Sequence, residues 1–257
     1  MTTDPIILRI EDLRKNYGAV AALQGVSIDV QRGEVLGLIG PNGSGKSTLF
    51  DCCTGLQKCD SGRVVLNGVD ITGWPMNRIA REGHFFRSFQ KTVVFPTLDS
   101  FENLVLAGQM SAFPSIASTF GIGPVARQRV RSLRDRAARL IEVSGLERVA
   151  HLPAGNMSGG QQKLLQFASM LMPDPKLILL DEPLAGINPV LIEKVIQCIE
   201  TANQELGVTF VVIEHNTDVL MGLSHRVVVL HQGSKLADDT PEAVVANPQV
   251  VEAYLGG

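Results

Sequence analysis

The 257-residue sequence predicts an α/β protein with a helical segment set inside an alternation of strands and helices. Three observations lead there. The run Val35 to Ile39 is wholly apolar and ends in the glycine-rich stretch Gly40 to Gly45, the pattern of a strand buried on both faces that enters a tight turn. A second such run, Leu177 to Leu180, ends in two adjacent acids, Asp181 and Glu182. From about Val93 to Leu171 helical spacing dominates and strand signal is scarce. A hydrophobic fraction of 45%, 25 glycines and only 5% aromatics suit tight strand-to-helix turns better than a β-sandwich.

Taken in order, Ile6 to Ile10 and Val26 to Val30 read as strands, and Gln31-Arg32-Gly33-Glu34 as the turn before the strand Val35 to Ile39. A helix is expected from Lys46 to about Thr54, with Gly55 as its stop. Arg63 to Leu66 followed by Asn67-Gly68 reads as a strand entering a tight turn. Between Arg127 and Val143, Val130, Leu133, Ala137, Leu140 and Ile141 recur at helical spacing, and Arg127, Arg131, Arg134 and Arg139 form a solvated basic face. Pro189 to Ala202 reads as a helix, and Thr209 to Ile213 and Arg226 to Leu230 as further strands. Pro241 to Ala246 reads as a short helix capped by Thr240.

Charge and cysteine content narrow the function. A net charge of −3 argues against a generic nucleic-acid binder, which carries a basic excess. Cys52, Cys53, Cys59 and Cys198 form no CxxC pair, so reduced thiols in a cytosolic protein are expected. The segment MTTDPIILRI lacks the basic and apolar regions of a signal peptide. Asn103 to Ala126 is uncharged but is broken by Gly108, Pro114, Gly121, Gly123 and Pro124, so a membrane-spanning helix is not expected. The chain reads as soluble by itself.

Gly40-Pro41-Asn42-Gly43-Ser44-Gly45-Lys46-Ser47 fits the phosphate-loop pattern GxxxxGK[ST] between a strand and a helix. The glycines allow the backbone to fold around a phosphate. The loop amides and the helix start, through Thr48, then face the anion. Lys46 supplies a charge for the β- and γ-phosphates, and the Ser47 hydroxyl is a hard ligand for Mg²⁺. A nucleotide and Mg²⁺ are therefore the expected ligands, and the loop alone does not say which nucleotide. Acids at the carboxyl end of a buried strand stand where open α/β sheets bind ligands. Asp181 is expected in the metal's shell through water, and Glu182 as the general base that orients water.

Met157-Ser158-Gly159-Gly160-Gln161-Gln162 resembles the signature motif of the ATP-binding cassette (ABC) family. Tyr17-Gly18 resembles that family's adenine-stacking loop, Phe89-Gln90 its glutamine loop, Leu184 to Pro189 the loop after its acid pair, and His215 its switch histidine. No guanine-binding Asn-Lys-x-Asp motif is present. The resemblance covers nearly the whole chain. It implies a P-loop NTPase, RecA-like core with a mixed sheet, an N-terminal antiparallel β subdomain and an inserted helical subdomain. The implied partition is one cassette domain over 1–257, with its core in 1–92 and 172–240, the helical insert in 93–171 and a C-terminal helical extension in 241–257.

The resemblance also implies a head-to-tail dimer, as a homodimer or with a second ABC ATPase. Ser158, Gly159, Gly160 and Gln161 of one subunit would contact ATP held by the other. Gln90 would sense Mg²⁺, and His215 would hold the γ-phosphate and water. The stretch Ala80 to Gln90, the run Asp181 to Pro189, Glu214-His215-Asn216 and Asn247-Pro248 through Gly256 are similar to branched-chain amino-acid importer ATPases. That implies membrane permease partners, indirectly a substrate-binding protein, and a peripheral place on the cytoplasmic face of the inner or plasma membrane. Urea-type importers, lipid- or lipopolysaccharide-extracting ATPases and non-transport cassette ATPases are the alternatives. Met157, Leu164, Ser169, Asn188 and His84-Phe85-Phe86 depart from the family pattern.

Overall fold

The computed structural model describes residues 5–88, 93–112 and 124–255. They fall into two compact units, one of Met1–Ser88, Lys176–Pro183 and Leu206–Gly257, the other of Phe89–Pro175 and Leu184–Glu205.

The first unit holds two sheets. Strands β1 (Ile6–Tyr17), β2 (Val20–Gln31), β4 (Ser61–Leu66) and β5 (Val69–Asp70) form an antiparallel sheet in the order β2-β1-β4-β5. Strands β3 (Val35–Ile39), β6 (Phe85–Arg87), β7 (Leu177–Asp181), β8 (Thr209–Ile213), β9 (Arg226–His231) and β10 (Ser234–Asp239) form a mixed sheet in the order β10-β9-β3-β8-β7-β6. All pairings in it are parallel except the edge pair β10-β9. Every residue of β3, β7 and β8 is buried, which explains their unbroken apolar sequences. One core joins Leu8 and Val30 of the antiparallel sheet to Leu36, Leu179 and Val211 of the mixed sheet, to Phe50 of helix α1 (Lys46–Cys53) and to Ile79 of helix α2 (Met76–Gly83).

The hairpin β1-β2 is far longer than the two five-residue runs read from sequence. Asp12 takes a φ of 45° and the register slips between Ile10 and Leu13. Such a bulge breaks the two-residue alternation that marks a strand. Strands β6 and β10 were not expected from the sequence. The first has three residues, and the second is a polar edge strand, Ser-Lys-Leu-Ala-Asp-Asp, of the kind that guards a sheet against further pairing.

The second unit contains α3 (Ser100–Ala112), α4 (Pro124–Val143), α5 (Gly159–Leu171) and most of α6 (Pro189–Leu206). Leu104, Ala137, Leu140 and Leu165 are fully buried in it. Arg131, Arg134 and Arg139 of α4 are exposed, and Arg139 meets Glu205 at 3.1 Å, so these three are solvated as expected; the Arg127 side chain lies outside the described residues. Arg136 donates to the Leu171 carbonyl at 2.7 Å and so satisfies an end group of α5. No described helix is long and apolar enough to cross a membrane. Residues 113–123 of the uncharged stretch lie outside the described residues.

Candidate functional site

The site grows from the carboxyl end of β3. The chain leaves Ile39 through Gly40, whose added Cβ would lie 2.1 Å from the Leu230 carbonyl oxygen. Only glycine fits so close to β9. Ser44, buried at 2% exposure, closes the loop by donating its N–H to the Pro41 carbonyl at 3.1 Å. Helix α1 then begins at Lys46 with Gly45 as its N-cap and no side-chain cap. Its first-turn amides are left to whatever anion the loop receives.

The Lys46 ammonium lies over this loop and donates to the carbonyls of Gly40 at 2.7 Å and Pro41 at 3.0 Å. Burial lowers its pKa, while Glu182 and Asp181 pull the other way. Facing it at the end of β7, Asp181 is 8% exposed. Its N–H donates to Ser88 Oγ at 2.9 Å. Glu182, next in the chain, takes a φ of 50°, an uncommon conformation for a side-chain-bearing residue that strain-storing sites favour. Its N–H donates to the Ile213 carbonyl at 2.9 Å. That bond holds the β7 exit beside the β8 exit, where His215 stands. His215 Nε2 lies 2.9 Å from Glu182 Oε1, and its side chain is 61% exposed. This is no buried, internally satisfied histidine.

Lys46, Glu182 and His215 line one cleft of about 430 Å³, and Asp181 stands outside its walls. Its walls include Asn42 to Thr48, Glu182 and His215, with Tyr17 and Val20 beside them. Tyr17 is 46% exposed, and the Lys15 ammonium lies 5.4 Å from its ring centroid. The structure thus brings the phosphate loop, the second acid and the histidine to one place. Gln90 lies outside the described residues.

The signature residues belong to the other unit. Ser158 is the N-cap of α5, and it forms a capping box with Gln161. Gln161 N–H donates to Ser158 Oγ at 3.3 Å, and Ser158 N–H donates to Gln161 Oε1 at 2.9 Å. Gly159 has open space around it, whereas a Cβ on Gly160 would lie 1.9 Å from Leu191 Cδ1 of α6. The Leu191 side chain therefore packs directly onto the bare backbone of the second glycine. Asn188 accepts the Leu191 N–H at 3.0 Å and caps α6, a task aspartate and asparagine share. Met157 is 5% exposed and Leu164 1%, so these two departures are buried apolar side chains.

Sequence reasoning missed Arg87 as a site residue. Its guanidinium donates to Asp181 Oδ2 at 2.8 Å and pairs with Asp51 of α1. The signal was a single charge in the strand Phe85-Phe86-Arg87, which carries meaning only once β6 is known to lie beside β7.

A parallel-sheet core with a phosphate loop at its switch point defines a P-loop NTPase fold. The comparisons with known proteins are more specific. The family model for ABC transporters matches residues 23–185, and one for branched-chain amino acid ATP-binding cassette transporters matches residues 234–257. The chain is 36% identical over 250 residues to the high-affinity branched-chain amino acid transport ATP-binding protein BraF of Pseudomonas aeruginosa, covering 97% of this chain and 98% of that one. Among solved structures, a nucleotide-free ATP-binding cassette from an ABC transporter aligns with a TM-score of 0.81 at 33% identity, covering 98% and 100% of the two chains. A dimeric cassette in a post-hydrolysis state with ADP and phosphate aligns at 0.72 and 25% identity, covering 91% and 98%. The chain belongs to the ABC transporter ATP-binding cassettes, a family of ATP-binding, ATP-hydrolysing subunits.

Proposed function

We propose that this chain is the energy-coupling ATPase of an importer for branched-chain or related amino acids. The observation that carries the reading is the single cleft formed by Asn42 to Thr48, Glu182 and His215. Matches to the branched-chain importer ATPases over 97% of the chain support the substrate class.

In this reading the loop Gly40 to Thr48 wraps the phosphates of ATP and Lys46 neutralises them, while Tyr17 stacks on the adenine. The Glu182 carboxylate orients the attacking water and takes up its proton. Its hydrogen bond with His215 fixes the carboxylate, and the histidine holds the γ-phosphate. Ser47 and Asp181 offer hard oxygen donors, a set that fits Mg²⁺, and Gln90 completes it. When bound, Mg²⁺ neutralises charge on the β- and γ-phosphates.

The signature residues Ser158, Gly159, Gly160 and Gln161 act on ATP held by a second cassette, head to tail, so that only ATP joins the pair. A dimeric cassette among the similar structures supports this assembly. The whole chain works as one cassette domain, with a second ABC ATPase, membrane permeases and, through them, a substrate-binding protein as partners. It sits peripherally on the cytoplasmic face of the membrane and takes no nucleic acid.

The test is Glu182→Gln, which keeps size and hydrogen bonding but removes the base. It should bind ATP and lose turnover by about 10²–10⁴-fold. Unchanged phosphate release sinks the assignment of the base. Co-purification from detergent-solubilised membranes should recover two permeases and a second ATPase. Uptake of labelled branched-chain amino acids should fall in cells lacking the protein; normal uptake would overturn the substrate class.

A further inference from the structure

We propose that Arg87 is a positioning residue for Asp181: held between Asp51 of α1 and Asp181 of β7, its guanidinium steadies that carboxylate and, by its charge, lowers its affinity for a divalent cation. This rests on the reading of Asp181 as a Mg²⁺ carboxylate.

The Arg87 side chain is 9% exposed, Asp181 10% and Asp51 22%. A charge so placed persists only when paired. A guanidinium stays charged at any working pH, and here both of its partners are carboxylates. One nitrogen of the fork reaches each acid, a geometry that the single ammonium of lysine does not reproduce. Arg87 Nε is buried with no hydrogen-bond partner among the described residues. The side chain is therefore placed for its two Nη contacts, at the expense of the third donor.

The consequence for Asp181 is mechanical and electrostatic. Ser88 Oγ holds its backbone N–H, and Arg87 engages Oδ2, so the direction of the remaining oxygen is set from both ends. The pair also ties the helix that follows the phosphate loop to the strand that carries the acid. The three side chains together carry one net negative charge. Removing Arg87 makes the cluster more negative, and removing the charge of Asp51 makes it neutral. The two changes should move divalent-cation affinity in opposite directions. Damage to the fold alone would move both the same way or neither.

The experiment measures binding of trinitrophenyl-ATP by fluorescence as free Mg²⁺ is varied, with the full chain and no turnover required. In Arg87→Gln the half-saturating Mg²⁺ should fall roughly three- to tenfold, and in Asp51→Asn it should rise by a similar factor. Arg87→Lys keeps the charge and should lie between wild type and Arg87→Gln. If Arg87→Gln does not fold, Asp51→Asn and Arg87→Lys still carry the sign of the effect. Shifts of the same sign in both charge variants, or no shift, overturn the role of Arg87. Wild-type binding that ignores Mg²⁺ overturns the metal reading of Asp181 itself, and the proposal with it.

Discussion

Gly40→Ala should damage the phosphate loop far more than Gly43→Ala, although both glycines hold positive φ, 153° and 80°. A Cβ on Gly43 meets nothing within 4 Å. Its penalty is the backbone conformation alone, about 1–2 kcal/mol. On Gly40 the new carbon lies 2.1 Å from the Leu230 carbonyl oxygen and 2.6 Å from Ser44 Oγ. The first neighbour is strand backbone, which cannot rotate away as a side chain can. Overpacking adds about 1–3 kcal/mol to a conformational penalty of about 1–3 kcal/mol, so Gly40→Ala should lose about 2–6 kcal/mol. Urea denaturation of both variants without nucleotide measures the difference. The Gly40 carbonyl also receives the Lys46 ammonium, so a displaced loop should lose ATP binding together with stability. Equal stability losses in the two variants would refute the close approach of loop and β9 as the reason for glycine.

Gly160→Ala should destabilise less than Gly40→Ala, by about 1 kcal/mol, because the Leu191 side chain it meets can rotate. Adding Leu191→Ala should reveal a favourable coupling of up to about 1 kcal/mol in a double-mutant cycle; strict additivity would contradict the packing. Asp60 accepts hydrogen bonds from the Asn16 N–H and side-chain amide, at 2.6 and 3.0 Å. These contacts, the backbone one foremost, hold its carboxyl below the ordinary value. Its contribution is therefore present above the unfolded-state pKa and is lost as pH falls through the lower folded-state pKa. Asp60→Asn should flatten the acid limb of stability against pH, and an unaltered acid limb would remove Asp60 from that role. Burial pushes the thiols of Cys52 and Cys198 up to about 12 and that of Cys53 higher still. Half-buried Cys59 should react first with a chromogenic disulfide reagent at pH 8, and all four only in urea. Fast reaction of a second thiol in the native chain would contradict the burial.

The phosphate loop was legible because its chemistry is local. Three closely spaced glycines, one lysine and two serines act through backbone that they shape themselves. The capping box of α5 was written locally too, in Ser158 and Gln161 three positions apart. The signature's second glycine was legible as a motif, but its packing partner was not, because Leu191 comes from another helix. The hairpin β1-β2 was only half visible, since the bulge at Asp12 hides the alternation that a strand normally displays.

By itself, the sequence determined the α/β class, the loop that takes phosphate, the acid pair at the end of an apolar strand, and the resemblance that the family matches bear out. Only the tertiary structure decided which side chains meet. Glu182 reaches His215 across 33 positions, and Arg87 reaches Asp51 across 36 and Asp181 across 94. Those meetings depend on the order of β6, β7 and β8 in the sheet, and strand order is set by burial summed over the whole chain. No short run of residues carries it.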